Sequence, residues 1–542
     1  MKPEQYDVIV VGAGFAGLYA LHRLRSEGFS VRVLEAGAGV GGTWYWNRYP
    51  GARCDIESLQ YSYSFSEEIQ QEWEWSELYA GQPEIQRYMN FVADKLDLWP
   101  DIQLNTRVTA ADYDEAACRW WLETDQGATF SARFCVMATG NLSIPVEPDL
   151  PGLGDFAGEI LKTHAWPAGE VDLSGKRVGL LGTGSSGVQV TPIVAKQAGE
   201  LVVFQRTANY TIPLQNRPMD PAYQQDWKAN YSARRAAARQ TRNNALMQHV
   251  DRFGAEMSDE ELDAIFDERW KIGGITFVYG FKDTATNPRV NAAAAEFVRR
   301  KIAQRVADPE VAQSLMPRDH PLGSKRLCAD THYYEAFNRD NVRLVDLRKT
   351  PLETIEARGV RTSEGLHELD VLILATGFDA MTGALKTINP RGRNGAQLRE
   401  KWNAAPKTLM GLAVAGFPNM FIVTGPGSPS VFSNLVTSVE QSVDWIADCI
   451  GYLTRNGYDE IEARQQAEDA WFDHVNEVAS RSLLPNSDSW YVGANVPGKP
   501  RFFMAYLGGV PAYLEAINVS AQKGYEGFSL AARAERPGAL SG

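Results

Sequence analysis

Two glycine-rich loops in this sequence have the residue types and spacing of a phosphate-binding turn. They read Gly12-Ala13-Gly14-Phe15-Ala16-Gly17 and Gly182-Thr183-Gly184-Ser185-Ser186-Gly187. In such a turn the first glycine permits a tight bend and the second lets backbone N–H groups approach a pyrophosphate. The third glycine lets the following helix pack on the strand. Each loop follows an apolar run and opens an amphipathic segment, so the sequence predicts two dinucleotide sites.

The residue at the end of the next strand predicts which dinucleotide each loop binds. Glu35 lies 23 positions after Gly12, close to the spacing of about 20 expected for a carboxylate that binds ribose hydroxyls. In the second unit this place is taken by Arg206, followed by Thr207. An arginine suits the additional 2′-phosphate of NADP, which a carboxylate would repel. We therefore expect FAD at the first loop and NADPH at the second.

Composition argues against several other functions. Lys and Arg total 54 against 67 Asp and Glu, and a net charge of −13 disfavours nucleic acid as a partner. The five cysteines are odd in number and far apart, and neither they nor the seven histidines have metal-ligand spacing. The sequence shows no N-terminal leader and no apolar run long enough to cross a membrane. We expect a cytoplasmic protein with free thiols and no metal.

Several elements must position the two loops, because 542 residues exceed one ordinary core. Buried-strand runs end in Ala-Thr-Gly before Asn141 and near Thr376, where we expect the chain to cross between domains. A helical, charged stretch contains a capping box from Ser258 to Glu261. We expect an α/β fold with two Rossmann-like domains and a helical insertion. The predicted parts are an FAD domain at 1–141 and 377–542, an NADPH domain at 142–217 and 322–376, and the insertion at 218–321.

Two dinucleotides in one chain indicate that a hydride passes from the nicotinamide to the flavin. A disulfide reductase would need two neighbouring cysteines beside the flavin, and the sequence has no such pair. A monooxygenase needs only a dry cavity where oxygen reacts with the reduced flavin. A scaffolding or redox-sensing protein that binds NADP without turnover is a further alternative. Steady NADPH consumption with a substrate would exclude it.

The segment at 156–167, "FAGEILKTHAWP", lies between the two loops. With "GGTWYWNRYPGARCDIES", "SKRL", "ATGFDA", "GPGSPS" and "SWYVGANVPGKP", it resembles the class B flavoprotein monooxygenases, and specifically the Baeyer-Villiger monooxygenases of the phenylacetone monooxygenase group. The resemblance implies NADPH- and O2-dependent conversion of a ketone to an ester or lactone through a flavin peroxide, together with sulfoxidation. The alternative is an N- or S-oxygenating relative, whose motif typically ends in Tyr where this chain has Trp166-Pro167.

The resemblance also implies roles for individual residues. Arg326 matches the family's catalytic arginine and Asp55 its carboxylate partner, where the alternative is a structural ion pair. Lys325 is expected at the 2′-phosphate, and Trp490 matches a loop tryptophan that folds over the cofactor. The remaining expected contacts are Thr43 and Trp44 at the flavin, Thr183, Ser185 and Ser186 at the second loop, and Phe432 and Leu435 in the ketone pocket. The last two residues are also compatible with plain packing.

One position of the motif departs from the family. The family has a histidine where this chain has Lys162, and the nearby histidine is His164. We expect the segment to be an extended linker, in which residues two apart project to the same side. Either side chain is then a candidate for the donor that relatives obtain from histidine. The alternative is that neither is needed and that the backbone, anchored by Trp166 and Pro167, fixes the domain geometry. The other expected partners are a small-molecule ketone substrate and O2, and the sequence is compatible with a monomer.

Overall fold

A computed structural model describes residues 4–532, which contain two large sheets. The first sheet has seven strands, and its central strand, Glu4–Val11, pairs in parallel with a neighbour on each side. Residues 8–11 are buried because the sheet is covered on both faces, which explains their uninterrupted apolar character. The strands are Glu4–Val11, Val31–Leu34, Ile102–Gln103, Val108–Asp114, Arg119–Thr124, Thr129–Met137 and Met420–Ile422.

The second sheet has five strands, and all of its pairings are parallel. In spatial order the strands are Val342–Asp346, Glu200–Gln205, Arg177–Leu181, Val371–Leu374 and Glu159–Lys162. Every strand of this sheet lies within 142–217 or 322–376. The fold class predicted from the sequence, α/β with two Rossmann-like units, is confirmed. The domain boundaries themselves stay predictions.

The chain crosses twice between the two sheets, and the crossing segments are hydrogen-bonded to each other. The amide of Met381 donates to the Asn141 carbonyl over 2.8 Å, and the amide of Val146 donates to the Gly377 carbonyl over 2.9 Å. The Asn141 side chain also donates to Ser430 Oγ over 2.7 Å. The crossings therefore form one connected unit between the sheets.

Helices cover the faces of the sheets and form the insertion. In the insertion, Ser258 and Glu261 form the predicted capping box, so that prediction is confirmed. The helices there are Pro221–Arg239, Asp259–Ile272, Pro288–Arg305 and Pro309–Leu315. The others are Phe15–Ser26, Thr43–Trp46, Glu67–Glu72, Gln82–Lys95, Ser185–Gln197, Tyr333–Ala336, Gly383–Ile388, Leu398–Ala404, Leu435–Arg455, Gln465–Ser480 and Val510–Gln522.

Three small sheets complete the architecture. Their strands are Thr211–Pro213 with Cys328–Asp330, Leu352–Glu356 with Gly359–Thr362 and Gly365–Glu368, and Glu460–Ala463 with Phe528–Ala531. No helix within residues 4–532 is long and apolar enough to span a bilayer. The same residues contain no cluster of three or more side chains suited to hold a metal ion.

Candidate active site

The first glycine loop has the backbone that its sequence predicts. Gly12 has a φ of +104°, and a Cβ there would lie 2.7 Å from the Ala138 carbonyl oxygen. A Cβ on Gly17 would lie 1.8 Å from the Gly12 carbonyl oxygen, so the helix contacts the strand directly at this point. Gly14 caps the helix Phe15–Ser26 without any side-chain hydrogen bond. The first-turn N–H groups are therefore available to an anion.

Glu35 is fixed at the end of the second strand. Its carboxylate accepts hydrogen bonds of 2.6 Å from the amides of Ala13 and Gly37. Burial raises the pKa of Glu35, and the two amides partly offset this effect. The carboxylate thus lies beside the glycine loop, in the position expected for a ribose contact.

A short helix brings the aromatic loop to the same place. A Cβ on Gly42 would lie 2.9 Å from the Cα of Gly14, so the chain at 42–44 lies against the glycine loop. Thr43 and Trp44 begin the helix Thr43–Trp46 directly after this contact. Trp44 is buried, and its Nε1 donates to the Tyr61 hydroxyl over 3.2 Å. The two predicted flavin contacts are therefore beside the first loop.

The second glycine loop repeats the geometry of the first. Gly182 has a φ of +113°, and a Cβ on it would lie 2.4 Å from the Ala375 carbonyl oxygen. A Cβ on Gly187 would lie 2.0 Å from the Gly182 carbonyl oxygen. Gly184 caps the helix Ser185–Gln197 without a side-chain hydrogen bond, and apart from its chain neighbours no atom of residues 4–532 lies within 4 Å of its Cβ position. The space above Gly184 is open to a ligand.

The polar residues of the second loop are bonded to neighbouring elements. Thr183 Oγ1 donates to the Thr207 carbonyl over 2.9 Å, which connects the loop to the residues beyond the next strand. Ser185 Oγ lies 3.3 Å from Cys328 Sγ. Burial raises the pKa of the Tyr49 hydroxyl to about 12, although Ser186 acts in the opposite direction, and this hydroxyl donates to Gln189 Oε1 over 2.8 Å. These contacts fix the loop between the two sheets.

Several positively charged side chains lie beyond the end of the strand Glu200–Gln205. Burial lowers the pKa of Lys325, and the charges of Arg206 and Arg348 lower it further against the influence of Asp319. Arg348 Nη2 donates to Thr207 Oγ1 over 3.3 Å. The structure thus brings Arg348, which the sequence reasoning missed, to Thr207 and within electrostatic influence of Lys325, which with Arg206 is expected at the 2′-phosphate.

Arg326 and Asp55 form an ion pair, as the resemblance implies. Arg326 Nη2 lies 2.6 Å from Asp55 Oδ2, and Nη1 donates to the Val431 carbonyl over 2.9 Å. The Asp55 carboxylate raises the pKa of the Arg326 guanidinium, which stays charged at any working pH. The two side chains are 29% and 24% exposed, so the pair is largely buried but keeps some access to solvent.

The two predicted pocket residues lie in different surroundings. Phe432 follows Val431, and its ring centroid is 4.7 Å from that of Tyr491 and 5.7 Å from that of Phe503. This aromatic cluster therefore adjoins Arg326. Leu435 begins the helix Leu435–Arg455 and packs against the core of the first sheet. Phe432 is thus the better placed of the two to meet a substrate beside Arg326.

Trp490 lies between the two segments that cross between the sheets and the residues around Arg326. Its ring centroid is 4.4 Å from that of Tyr491, and the ring packs against a cluster that includes Leu142 and Met381 from the two crossings. Ser487, in the same loop, donates to the Ser324 carbonyl over 3.0 Å. The loop that carries Trp490 therefore contacts the segment that carries Lys325 and Arg326.

Two further residues near Arg326 were missed by the sequence reasoning. The Asn209 amide donates to the Arg326 carbonyl over 3.0 Å and to Cys328 Sγ over 3.1 Å. Tyr491 is buried, and burial raises the pKa of its hydroxyl to about 12 although Arg326 acts in the opposite direction. Asn209 lies two residues after Thr207 in "QRTANY", and Tyr491 directly follows Trp490 in "SWYVG". This closeness to predicted site residues was the signal by which the sequence could have identified them.

The expectation of an extended linker was wrong for part of the motif. Glu159–Lys162 is a strand of the second sheet, and a 3-10 turn follows at Thr163–Ala165, so alternation of side chains ends at Lys162. Lys162 Nζ binds both carboxylate oxygens of Glu147 at 2.8 and 2.7 Å. His164 lies edge-on to Phe378 with ring centroids 6.3 Å apart, and burial lowers its pKa. The motif thus contacts both crossings through separate side chains.

Comparison with known sequences gives consistent matches. The model of the pyridine nucleotide-disulphide oxidoreductase family matches residues 6–286. An acetone monooxygenase (methyl acetate-forming) from Gordonia sp. is 41% identical over 98% of this chain and 100% of its own length. A Baeyer-Villiger monooxygenase from Pseudooceanicola batsensis is 43% identical over 96% and 95%. A phenazine N-monooxygenase from Lysobacter antibioticus is 42% identical over 97% of each chain.

Solved structures match along almost the entire chain as well. An oxidized steroid monooxygenase bound to NADP superposes with a TM-score of 0.93 at 50% identity, covering 97% of this chain and 99% of the other. A complex of OTEMO with FAD and NADP superposes with a TM-score of 0.94 at 40% identity, covering 98% and 100%.

Proposed function

The chain belongs to the pyridine nucleotide-disulphide oxidoreductase family and, within it, to the Baeyer-Villiger monooxygenases, and we propose that Arg326 and Asp55 are its catalytic pair. The enzyme is an FAD-containing, NADPH-dependent monooxygenase that converts ketones to esters or lactones. The observation that carries the residue assignment is the 2.6 Å contact between Arg326 and Asp55, which joins the two halves of the site. The narrower likeness to phenylacetone monooxygenases stays a prediction.

The residues around the first glycine loop fit FAD. The uncapped helix that begins after Gly14 offers N–H donors to a pyrophosphate, and Glu35 offers a carboxylate to ribose hydroxyls. Thr43 and Trp44 lie beside the loop, where they would contact the remainder of the cofactor. None of these contacts requires a covalent bond, so FAD is expected to be held noncovalently.

The residues around the second glycine loop fit NADPH. Gly184 leaves open space above an uncapped helix, which suits the pyrophosphate of the nucleotide. Arg206, Thr207 and Lys325 supply donors and positive charge for the 2′-phosphate. Trp490, in the loop that contacts the Lys325–Arg326 segment, would cover the bound nucleotide.

Bound NADPH supplies the hydride, and bound FAD supplies the activation of oxygen. The protein supplies a fixed positive charge in a sheltered site. As the ketone becomes an ester, negative charge develops on its carbonyl oxygen, and Arg326 is the cation placed to stabilise it. Asp55 and the Val431 carbonyl each hold one nitrogen of the guanidinium, so its orientation is set before the substrate arrives. Phe432 and Tyr491 exclude water from this side of the cation.

A second candidate activity is oxygenation at nitrogen or sulfur. It rests on the phenazine N-monooxygenase, which is as similar to this chain as the ketone-oxidising relatives are. The two activities differ in substrate, so a ketone and an aromatic N-heterocycle tested side by side distinguish them. Sulfoxidation of a thioether is a further proposal for the same site.

The partners are a small ketone, O2 and the two nucleotides. A monomer is proposed, since the chain by itself contains all of the residues assigned to the site. All five cysteines are buried, and within residues 4–532 none of them forms a disulfide, which supports a proposed location in the reducing cytoplasm.

The proposal is tested by a panel of linear, cyclic and aryl ketones with the purified yellow protein. We expect about one FAD per chain, ester or lactone as product, and NADPH consumption that matches product formation. Oxidation of the N-heterocycle in the absence of any ester would favour the second candidate. Arg326→Ala should keep its flavin but lose the ester, and full ester formation by this variant would overturn the role given to Arg326.

A further inference from the structure

Arg348 reaches the second nucleotide site because two parallel strands end side by side. The strand Val342–Asp346 pairs with Glu200–Gln205, and Asp346 lies opposite Gln205 at the end of the register. The amide of Leu347 continues the pairing by donating to the Gln205 carbonyl over 2.8 Å. Since ligands of such sheets bind at the carboxyl ends of the strands, the residues that follow both strands face the same ligand.

The contacts of Arg348 leave most of its guanidinium free. Its Nη2 donates to Thr207 Oγ1 over 3.3 Å and pairs with Asp319. Within residues 4–532, neither Nε nor Nη1 of Arg348 has an acceptor. The side chain is half exposed, so the pair with Asp319 is screened by water and adds little to the stability of the fold. A structural role is therefore a weak explanation for an arginine at this position.

The balance of charge at the strand ends is positive. Arg206 and Lys325 form no ion pair with any carboxylate in the described part of the chain, and Arg348 shares a single carboxylate, that of Asp319. Arg348 contacts Thr207, the chain neighbour of Arg206, and the charges of Arg206 and Arg348 both lower the pKa of Lys325. Asp488 also acts on Lys325, but it pairs with Arg501, so the three cations keep an excess of positive charge. This excess suits an anion that carries two charges, as a phosphate monoester does near neutral pH.

The carboxylate that pairs with Arg348 is itself held in place. Asp319 Oδ1 lies 2.6 Å from Nδ1 of His320, whose ring is buried against Tyr210. Burial opposes ionisation of Asp319, but hydrogen bonds from His320 and Arg348 outweigh it and lower the pKa of the carboxyl to about 2. Asp319 therefore stays ionised at neutral pH and acts as a fixed anchor for one nitrogen of Arg348.

We propose that Arg348 is a specificity-determining residue that binds the 2′-phosphate of NADPH together with Arg206 and Lys325, and that Asp319 positions it. Asp319 holds Nη2, and the free Nε and Nη1 donate to the phosphate oxygens. The inference rests on the proposed NADPH site at the second glycine loop and adds a residue to it. It separates recognition of NADPH from recognition of NADH, because NADH has no 2′-phosphate.

The test compares Arg348→Ala with Arg358→Ala in the FAD-loaded protein. Arg358 is an exposed arginine paired with Glu368 in the sheet Leu352–Glu368, so its removal changes the net charge equally but at a distance from the site. Isothermal titration calorimetry measures binding of adenosine 2′,5′-bisphosphate and of adenosine 5′-monophosphate. Steady-state assays with one ketone give kcat/KM for NADPH and for NADH.

We expect Arg348→Ala to weaken binding of the bisphosphate by about five- to tenfold and to lower kcat/KM for NADPH by the same factor. Binding of the monophosphate and kcat/KM for NADH should change by less than about twofold, as should every value for Arg358→Ala. Arg348→Lys should recover part of the loss, since it keeps the charge but loses the forked contact. The loss should shrink as salt concentration rises.

A parallel Arg206→Ala variant separates failure of this inference from failure of the proposed site. If Arg206→Ala weakens bisphosphate binding and Arg348→Ala does not, the role of Arg348 is overturned and the site is kept. If neither variant discriminates between the two adenosine phosphates, the location of the 2′-phosphate is wrong. An equal loss for NADPH and NADH in Arg348→Ala, with an unchanged circular dichroism spectrum, would also overturn the inference.

Discussion

Replacement of Arg326 by lysine separates charge from geometry at the active site. The arginine uses Nη2 for Asp55 and Nη1 for the Val431 carbonyl. Lysine keeps the positive charge, but its single nitrogen on a flexible stem cannot occupy both positions. The variant therefore removes the orientation of the cation and leaves its charge, whereas Arg326→Ala removes both.

The magnitudes follow from the contacts. A hydrogen bond to a charged group contributes about 1.5–3 kcal/mol, so the loss of one such bond in Arg326→Lys should slow ester formation about ten- to a hundredfold. Arg326→Ala should slow it by at least about 10²–10³. Asp55 is about three-quarters buried, so the loss of its partner should lower the free energy of unfolding by about 1–3 kcal/mol, which is less than the total stability of a typical protein. The catalytic effect is thus expected in a folded protein.

The assay measures two steps separately. Anaerobic mixing with NADPH follows bleaching of the flavin, and aerobic turnover with a ketone follows the ester by gas chromatography. Flavin reduction should survive in both variants, because hydride transfer generates no oxyanion that needs the arginine. Arg300→Lys, at an exposed pair with Asp263, is the matched control and should behave as the parent enzyme. Ester formation by Arg326→Lys at the parent rate would refute the reasoning.

Three further predictions concern the nucleotide loops and the motif. Lys162→His should keep activity, while Lys162→Ala or His164→Ala should raise the Michaelis constant for NADPH or release hydrogen peroxide in place of ester. If both alanine variants form as much ester per NADPH as the parent enzyme, the segment has a structural role only. Gly187→Ala should abolish binding of NADP+ in calorimetry and leave FAD bound, because its Cβ would overlap the Gly182 carbonyl oxygen at 2.0 Å. Burial lowers the pKa of Lys325, so the affinity for NADPH should begin to fall at a lower pH than it would with an exposed lysine. Lys325→Arg should move that fall to higher pH, and identical pH profiles of NADPH affinity in the two proteins would contradict this prediction.

Local sequence was sufficient for the loops because their geometry depends on near neighbours. Gly187 meets the carbonyl oxygen of Gly182, five residues away, and Ser258 bonds to Glu261 within one helical turn. The same holds for Glu35, which returns to Ala13 across one strand–helix–strand unit. In each case a short spacing and a backbone requirement determine the residue type.

Arg348 and the motif show where local sequence fails. Arg348 approaches Thr207 only because strands distant in the chain pair in parallel. The residues around Arg348 form no motif that would mark it as a site residue. The motif was expected to be extended throughout, but the strand that ends at Lys162 gives way to a turn, and Lys162 pairs with Glu147 in the first crossing. Both outcomes depend on tertiary pairing, which spacing along the chain does not encode.

The most direct test of the central claim is the fate of oxygen in the product. The purified enzyme is supplied with NADPH, a ketone and ¹⁸O-labelled dioxygen, and the product is analysed by mass spectrometry. The assignment as a Baeyer-Villiger monooxygenase predicts an ester or lactone that carries one labelled oxygen atom, formed in proportion to the NADPH consumed. Consumption of NADPH across the ketone panel with all of the labelled oxygen recovered as hydrogen peroxide or water, and no ester, would contradict it.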